Sequence, residues 1–278
     1  MRLSVITVSL NNVDGLQKTM KSLLSQTWDD WEYIVIDGGS NDGSKEIIEE
    51  SANGDKRLSH WVSEKDDGIF NAMNKGVKVS TGDYLLFLNS GDYLNADNVL
   101  EEVFEGNQPK YTQDFICARC AVSNNGVVEF ITNPPQNLTF KDFFNTTLAH
   151  QSTFIKRELF QRYGLYREDL KLKSDWEFFV RTIILNKCTT ISIGVILTDY
   201  NLDGVSSLIS NKIRQKEEME KIYEETVLSK FIADYISYNE TLKGMKVYFW
   251  AKEKWILNWA ILFIFKIANM FSKAKKSV

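Results

Sequence analysis

Strand-like and helix-like segments alternate along residues 1–105, and no other feature of the chain narrows its fold as far. "RLSVITVSL" is rich in β-branched residues, and the following "NNVDGLQKTMKSLLSQ" sets Leu16, Met20, Leu23 and Leu24 at helical spacing. "WEYIVIDGGS" reads as a second strand running into a turn, with "NDGSKEIIEE" opening a second helix behind a polar cap. "LSHWVSE", "GIFNAMNKGVKVS" and "YLLFLNS" continue the series as strand, helix and strand. This order predicts an α/β fold, a Rossmann-like and mostly parallel central sheet flanked by helices, whose ligands collect at the carboxyl ends of the strands.

Beyond residue 110 the rhythm changes. "DFICARCAVS" and "GVVEFIT" flank an Asn-Asn-Gly turn and predict a hairpin, "NPPQNLTFKDFF" reads as a loop, and "CTTISIGVILTDY" as a late strand. "STFIKRELFQRYG" and "SDWEFFVRTIILNK" read as short helical or mixed elements, and the charge-dense residues 211–240 as an exposed helix. The expected organisation is one domain in two halves, 1–110 and 111–207, with a helical extension over 208–278.

With 33 Lys and Arg against 37 Asp and Glu, the net charge of −4 gives no reason to expect nucleic acid, whose backbone requires clustered cations. Three cysteines make no disulfide framework and fit a reducing cytosol, and nothing at the N-terminus indicates export. "CARC" has CxxC spacing, but one such pair and two histidines supply too few zinc ligands, so two small thiols on a half-buried strand is the better reading.

Chemistry concentrates where predicted strands end in acids: Asp37 after "YIVI", Glu64 and Asp66 after "HWVS", Asp92 after "LLFLNSG". Any one of these could merely cap a helix or face solvent. Together, at one sheet edge, they suit a hard divalent cation and the hydroxyls of a nucleotide. Neither GxxxxGK[ST] nor a GxGxxG after the first strand is present, so a bound diphosphate would need a metal to neutralise it.

"LSVITVSLNN", "LLSQTWDDWEYIVIDGGSNDGS", "SEKDDGIFNAMNKG" and "STGDYLLFLNSGD" resemble the family 2 glycosyltransferases of GT-A fold, in particular bacterial enzymes of capsule, exopolysaccharide and lipopolysaccharide synthesis. The likeness is strong to about residue 105 and looser through "HQSTFIKRELFQRYGLY", "KSDWEFFVR" and "DGVSS". It implies an inverting transfer from a nucleoside-diphosphate sugar, a UDP-sugar by preference, to a saccharide or polyprenyl-diphosphate-linked acceptor. It assigns Asp37 to the base or ribose, with helix capping as the alternative. It sets Glu64, Asp66, Gly68, Asn71, Asn74 and Lys75 near the donor, Asn74 being better suited to holding its loop together.

Asp92 matches the last acid of the family's metal motif, which carries Mg²⁺ or Mn²⁺. Relatives often show two acids there, whereas this chain reads Asn89, Ser90, Gly91, Asp92, so Asn89 or Ser90 would have to add an oxygen or a donor contact. Asp175 matches the base that deprotonates the acceptor, flanked by Trp176 and Phe178 to exclude water. The Ser174-to-Glu177 spacing also predicts a capping box with Asp175 in the first helical turn. His150 and Gln151 match a position beside the acceptor or diphosphate. Arg181 reads as a solvated helix residue or a diphosphate contact.

Two other classes remain open on the sequence: a sugar-nucleotide pyrophosphorylase, which "NNVDG" after the first strand disfavours, and a non-catalytic nucleotide-sugar-binding subunit, which the single acid permits. From Leu242 onward there are eight lysines and one acid, and Trp255–Phe265 is nearly all apolar yet short of the roughly 20 residues a spanning helix needs. Residues 255–278 are therefore expected to lie on anionic lipid, which would make the protein peripheral on the inner face of a bacterial cytoplasmic membrane; a core helix or an oligomer contact is the alternative.

Overall fold

The computed structural model describes residues 2–105, 111–124, 127–145, 147–201, 211–226, 237–247, 259 and 262–264. Its elements begin β1 Leu3–Ser9, α1 Val13–Leu24, β2 Trp31–Asp37, α2 Ser44–Gly54, β3 Leu58–Ser63, α3 Ile69–Val79 and β4 Tyr84–Phe87. β1 and β2 are buried along their whole length, as strands covered by helices on both faces must be. The register sets Ser9 beside Asp37 and Asp37 beside Ser63, so three strands finish at one level.

α1 buries Leu16, Met20 and Leu23, which is the face the sequence periodicity marks. Its N-cap is Asn12, whose Oδ1 accepts the Gly15 amide at 3.2 Å.

The remaining elements are β5 Tyr93–Leu94, α4 Val99–Phe104, β6 Phe115–Asn124, β7 Val127–Ile131, α5 Phe140–Asn145, β8 Thr153–Lys156, α6 Glu158–Tyr163, α7 Ser174–Phe179, β9 Thr190–Asn201 and α8 Asn211–Glu225. Among the described residues the sheet order is β3-β2-β1-β4-β8-β6-β9-β5, with β7 hydrogen-bonded to β6. The parallel run ends at β4: β8 pairs antiparallel to it, with Tyr84 opposite Lys156. That reversal carries the 3₁₀ turn His150–Ser152, which leads into β8, to the carboxyl end of β4.

α5 forms inside the segment expected to be loop. The helix begun by α7 widens into a π-helix over Val180–Leu185. Residues 1–218 form one compact unit and 219–278 a second. In the second, residues 237–247 are helical. Of the segment expected to meet lipid, only Trp259 and residues 262–264 are described; the rest of 255–278 lies outside the described residues. Among those described, no helix is long and apolar enough to cross a membrane.

Candidate active site

The turn after β4 is built before it is functional. Gly91 has φ +106°, a left-handed conformation that side chains with a Cβ rarely adopt. Thr19 of α1 pins it: its buried hydroxyl donates to the Asp92 carbonyl at 2.6 Å, with the Asn89 carbonyl 3.2 Å away, and accepts the Gly91 amide at 2.9 Å. Asn12 extends the clamp, its Nδ2 donating to the Ser90 carbonyl at 3.1 Å and hydroxyl at 3.2 Å. Thr19 and Asn12 escape a strand-end search because they lie on and before α1, yet they fix the angle at which Asp92 enters the site.

Asp92 is 7% exposed, and burial pushes its carboxyl up to about 6, against opposing pulls from His150 and the Asn89 amide. His150 stands between this turn and α7. Its Nδ1 lies 3.4 Å from Oδ2 of Asp175, and its Nε2 faces Nδ2 of Asn89 at 3.1 Å. With the Asn89 amide nitrogen donating, Nε2 accepts and the proton of the neutral ring sits on Nδ1, toward Asp175. Burial alone would lower the His150 pKa. The Asp175 contact and charge, with the Asp92 charge, outweigh it and carry the imidazole above its ordinary value.

Asn89 Oδ1 is buried without a hydrogen-bond partner. A buried carboxylate held well above its ordinary pKa and an orphaned amide oxygen on the same turn are donors that fit a hard divalent cation. Among the described residues no group of three or more His, Cys, Asp or Glu could hold a metal. The set therefore suits a cation that takes most of its ligands from phosphate and water.

Asp175 is the second residue of α7, but the predicted capping box does not form. Lys173 is the N-cap and makes no side-chain cap bond, the Ser174 hydroxyl is buried and unpartnered, and the Glu177 carboxylate is claimed by Arg181. Arg181 is neither a solvated helix residue nor a free cation. It pairs with both Glu177 oxygens at 2.8 and 3.1 Å and donates to the carbonyls of Tyr163 and Leu165.

Trp176 and Phe178 are core residues. The Trp176 indole donates to the Phe143 carbonyl at 2.8 Å, and Phe178 packs on Tyr166, which packs on Phe87 of β4. This aromatic chain seats α7 against the strand that delivers Asp92.

The residues expected on the donor side form a second group. Asp37 is fully buried and accepts from the Gly39 and Ser40 amides at 3.2 and 2.9 Å, the Ser40 hydroxyl, and the Ser63 hydroxyl at 2.6 Å. Asp66 accepts the Gly68 amide at 2.8 Å, and a Cβ on Gly38 would stand 2.7 Å from its Oδ2, so this loop closes on the end of β2. Gly68 opens α3 at φ +116°. Glu64 and Lys75 form an ion pair at 2.7 Å on the rim. Asn71 donates to Glu168 at 2.8 Å. Buried Asn74 donates to the Tyr166 carbonyl and Glu168 and accepts the Tyr166 amide. Gln151 is buried with its amide 3.9 Å from Cys120 Sγ.

A curled α/β sheet with helices around it and acids at the carboxyl edge of its parallel half has the GT-A glycosyltransferase fold. The chain belongs to glycosyl transferase family 2, whose sequence profile matches residues 4–169. The match stops short of Asp175. It is 26% identical over 224 residues to TuaG of Bacillus subtilis, named for teichuronic acid biosynthesis, covering 80% of this chain and 87% of that one. Staphylococcus aureus TarS 1–349 in complex with UDP superposes with a TM-score of 0.57 at 19% identity, over 72% of this chain and 60% of that one. The mannosyltransferase PcManGT from Pyrobaculum calidifontis, with GDP-Man and Mn²⁺, gives 0.59 at 16%, over 81% and 63%. The chain thus spans less than two thirds of either solved chain.

Proposed function

We propose that the protein is an inverting glycosyltransferase that moves a sugar from a UDP-sugar to a saccharide or polyprenyl-diphosphate-linked acceptor in surface polysaccharide synthesis. The observation that carries this is the joining of Asp175, through His150, to the Asn89–Asp92 turn. Asp175 takes the acceptor hydroxyl proton, the freed oxygen bonds to the anomeric carbon, and the bond from that carbon to the diphosphate breaks on the opposite face. His150 holds the carboxylate in position. Asp37 with its Ser40–Ser63 cage, the Asp66–Gly68 loop and Ser90 form the donor wall.

Asp92 and Asn89 would hold Mg²⁺ or Mn²⁺, which neutralises charge on the leaving diphosphate when bound. UDP in TarS and Mn²⁺ in PcManGT support the donor and metal classes. TuaG's name supports the pathway class.

Thermal-shift screening against UDP-, GDP- and CDP-sugars with and without Mn²⁺ tests the reading, since a ligand of the native state raises its melting point. A UDP-sugar should give the largest shift, and only with metal, and Asp92→Ala should remove it. A metal-independent shift, or none, rejects the assignment.

Membrane association belongs to the same proposal. Trp259 is 71% exposed, and Leu262, Phe263 and Ile264 are 57–64% exposed. Apolar residues held in water beside a lysine-rich sequence favour an anionic lipid surface. Deleting residues 255–278 should move the protein from the membrane pellet to the supernatant; an unchanged pellet fraction rejects it.

A further inference from the structure

We propose that Glu218, on α8 and outside the family match, is a positioning residue for Asp175. Its carboxylate is 7% exposed and accepts three successive backbone amides: Lys171 at 2.8 Å on Oε1, and Leu172 and Lys173 at 2.9 and 3.0 Å on Oε2. Lys173 is the N-cap of α7, so the third of these bonds lies two residues before Asp175. The inference rests on the reading of Asp175 as the base.

α7 cannot set its own entry angle. It is six residues long, has no side-chain cap, leaves the Ser174 hydroxyl unpartnered, and has lost Glu177 to Arg181. Backbone donors removed from water require acceptors, and the 171–173 run finds all of its own in one carboxylate. A carboxylate accepting several amides forms strong, charge-assisted bonds with little angular freedom. Arg214, one turn earlier on α8, donates to Glu218 Oε1 at 3.3 Å and steadies the acceptor in turn.

The same run also reaches the donor side. Lys171 Nζ donates to the Asp67 carbonyl at 2.7 Å and lies where a Cβ on Gly68 would meet it at 3.7 Å. Glu218 thereby sets where the base stands relative to the donor loop, which Asp66 holds on its own through the Gly68 amide. A displacement of about 1 Å in such a group lowers turnover by about 100-fold.

The test compares Glu218→Ala and Glu218→Gln with the unaltered chain, alone and in an Asp175→Asn background. Hydrogen exchange is read at the amides of residues 171–173, and UDP release from the UDP-sugar selected by thermal shift is measured. Glu218→Ala should speed exchange at those amides at least tenfold and lower kcat about tenfold to 100-fold, with the donor KM unchanged. It should add nothing in the Asp175→Asn background. Glu218→Gln keeps one of the two acceptor oxygens and should fall between, and it carries the test alone if the alanine variant does not fold.

Unchanged exchange overturns the latch itself. Faster exchange with unchanged kcat, or an equal loss in the Asp175→Asn background, overturns its action through Asp175. An unaltered chain that binds and cleaves no UDP-sugar overturns the assignment of the base and with it the positioning role, while the exchange result still decides whether the latch exists.

Discussion

His150 Nδ1 lies 3.4 Å from the Asp175 carboxylate, while Nε2 of the same ring faces Asn89 on the turn that carries Asp92. One imidazole thus spans the gap between the proposed base and the proposed diphosphate end of the site.

The span makes His150 a reporter of Asp175. Burial, the largest single influence, depresses its pKa, and the Asp175 contact and charge together with the Asp92 charge outweigh it. Asp175→Asn removes the raising partner and should bring the His150 titration down. NMR of the imidazole resonances reads this directly, because His60 is the other histidine of the chain. The same variant should lower transfer about 10²- to 10⁴-fold, the usual contribution of a positioned base. A His150 titration that does not move would break the proposed pairing.

The sequence carried the parallel half of the sheet well, because α/β alternation and buried β-branched strands are local signals. Strand-end acids marked the carboxyl edge of that sheet for the same reason. What it hid was long-range. β5 has two residues, too few for an alternating pattern, and is held by β9 across the sheet. The Ser174–Glu177 spacing fits a capping box, yet Arg181 outcompetes the helix terminus for Glu177 and Glu218 meets the neighbouring amides from 45 residues away. Asn12 looks like an ordinary N-cap and Thr19 like an ordinary mid-helix residue until the fold brings the Asp92 turn onto them.

Asp92 should impose a pH dependence on stability. Its folded pKa is raised from 3.8 to about 6, so between those values the native state holds a proton that the unfolded chain releases. Stability contributed by this group is full below about pH 3.8 and is lost as pH rises through about 6, at most about 3 kcal/mol for roughly two units. His150, also raised, acts in the same direction, losing its contribution as pH rises through its folded value. Without nucleotide, Asp92→Asn should therefore raise the melting temperature at pH 7.5 and flatten its fall between about pH 4 and 6.5. A divalent cation with UDP favours the ionised carboxylate, so the shift that Mn²⁺ and UDP give the unaltered protein should grow with pH. A lower melting temperature for Asp92→Asn at pH 7.5 without ligand would contradict the assigned burial cost.

Asn74 separates structural from donor-binding roles on the "NAMNKG" helix. Its side chain is 1% exposed, and both ends of the amide are taken by the 166–168 segment: Nδ2 by the Tyr166 carbonyl at 2.9 Å and Glu168 Oε1 at 2.8 Å, Oδ1 by the Tyr166 amide at 3.0 Å. Asn74→Ala leaves the Tyr166 backbone groups buried without partners, at about 1–3 kcal/mol for each group that finds no water. The Glu168 carboxyl, held below its ordinary pKa first by Asn74 and then by Asn71, should rise toward that value in the variant. Its stabilising contribution, present above the unfolded pKa and lost as pH falls through the folded one, should shrink with it. Thermal and urea denaturation should show the loss. At a temperature where the variant is fully folded, UDP binding measured by calorimetry with Mn²⁺ should match the unaltered protein. A binding loss without a stability loss would instead put Asn74 in contact with the donor.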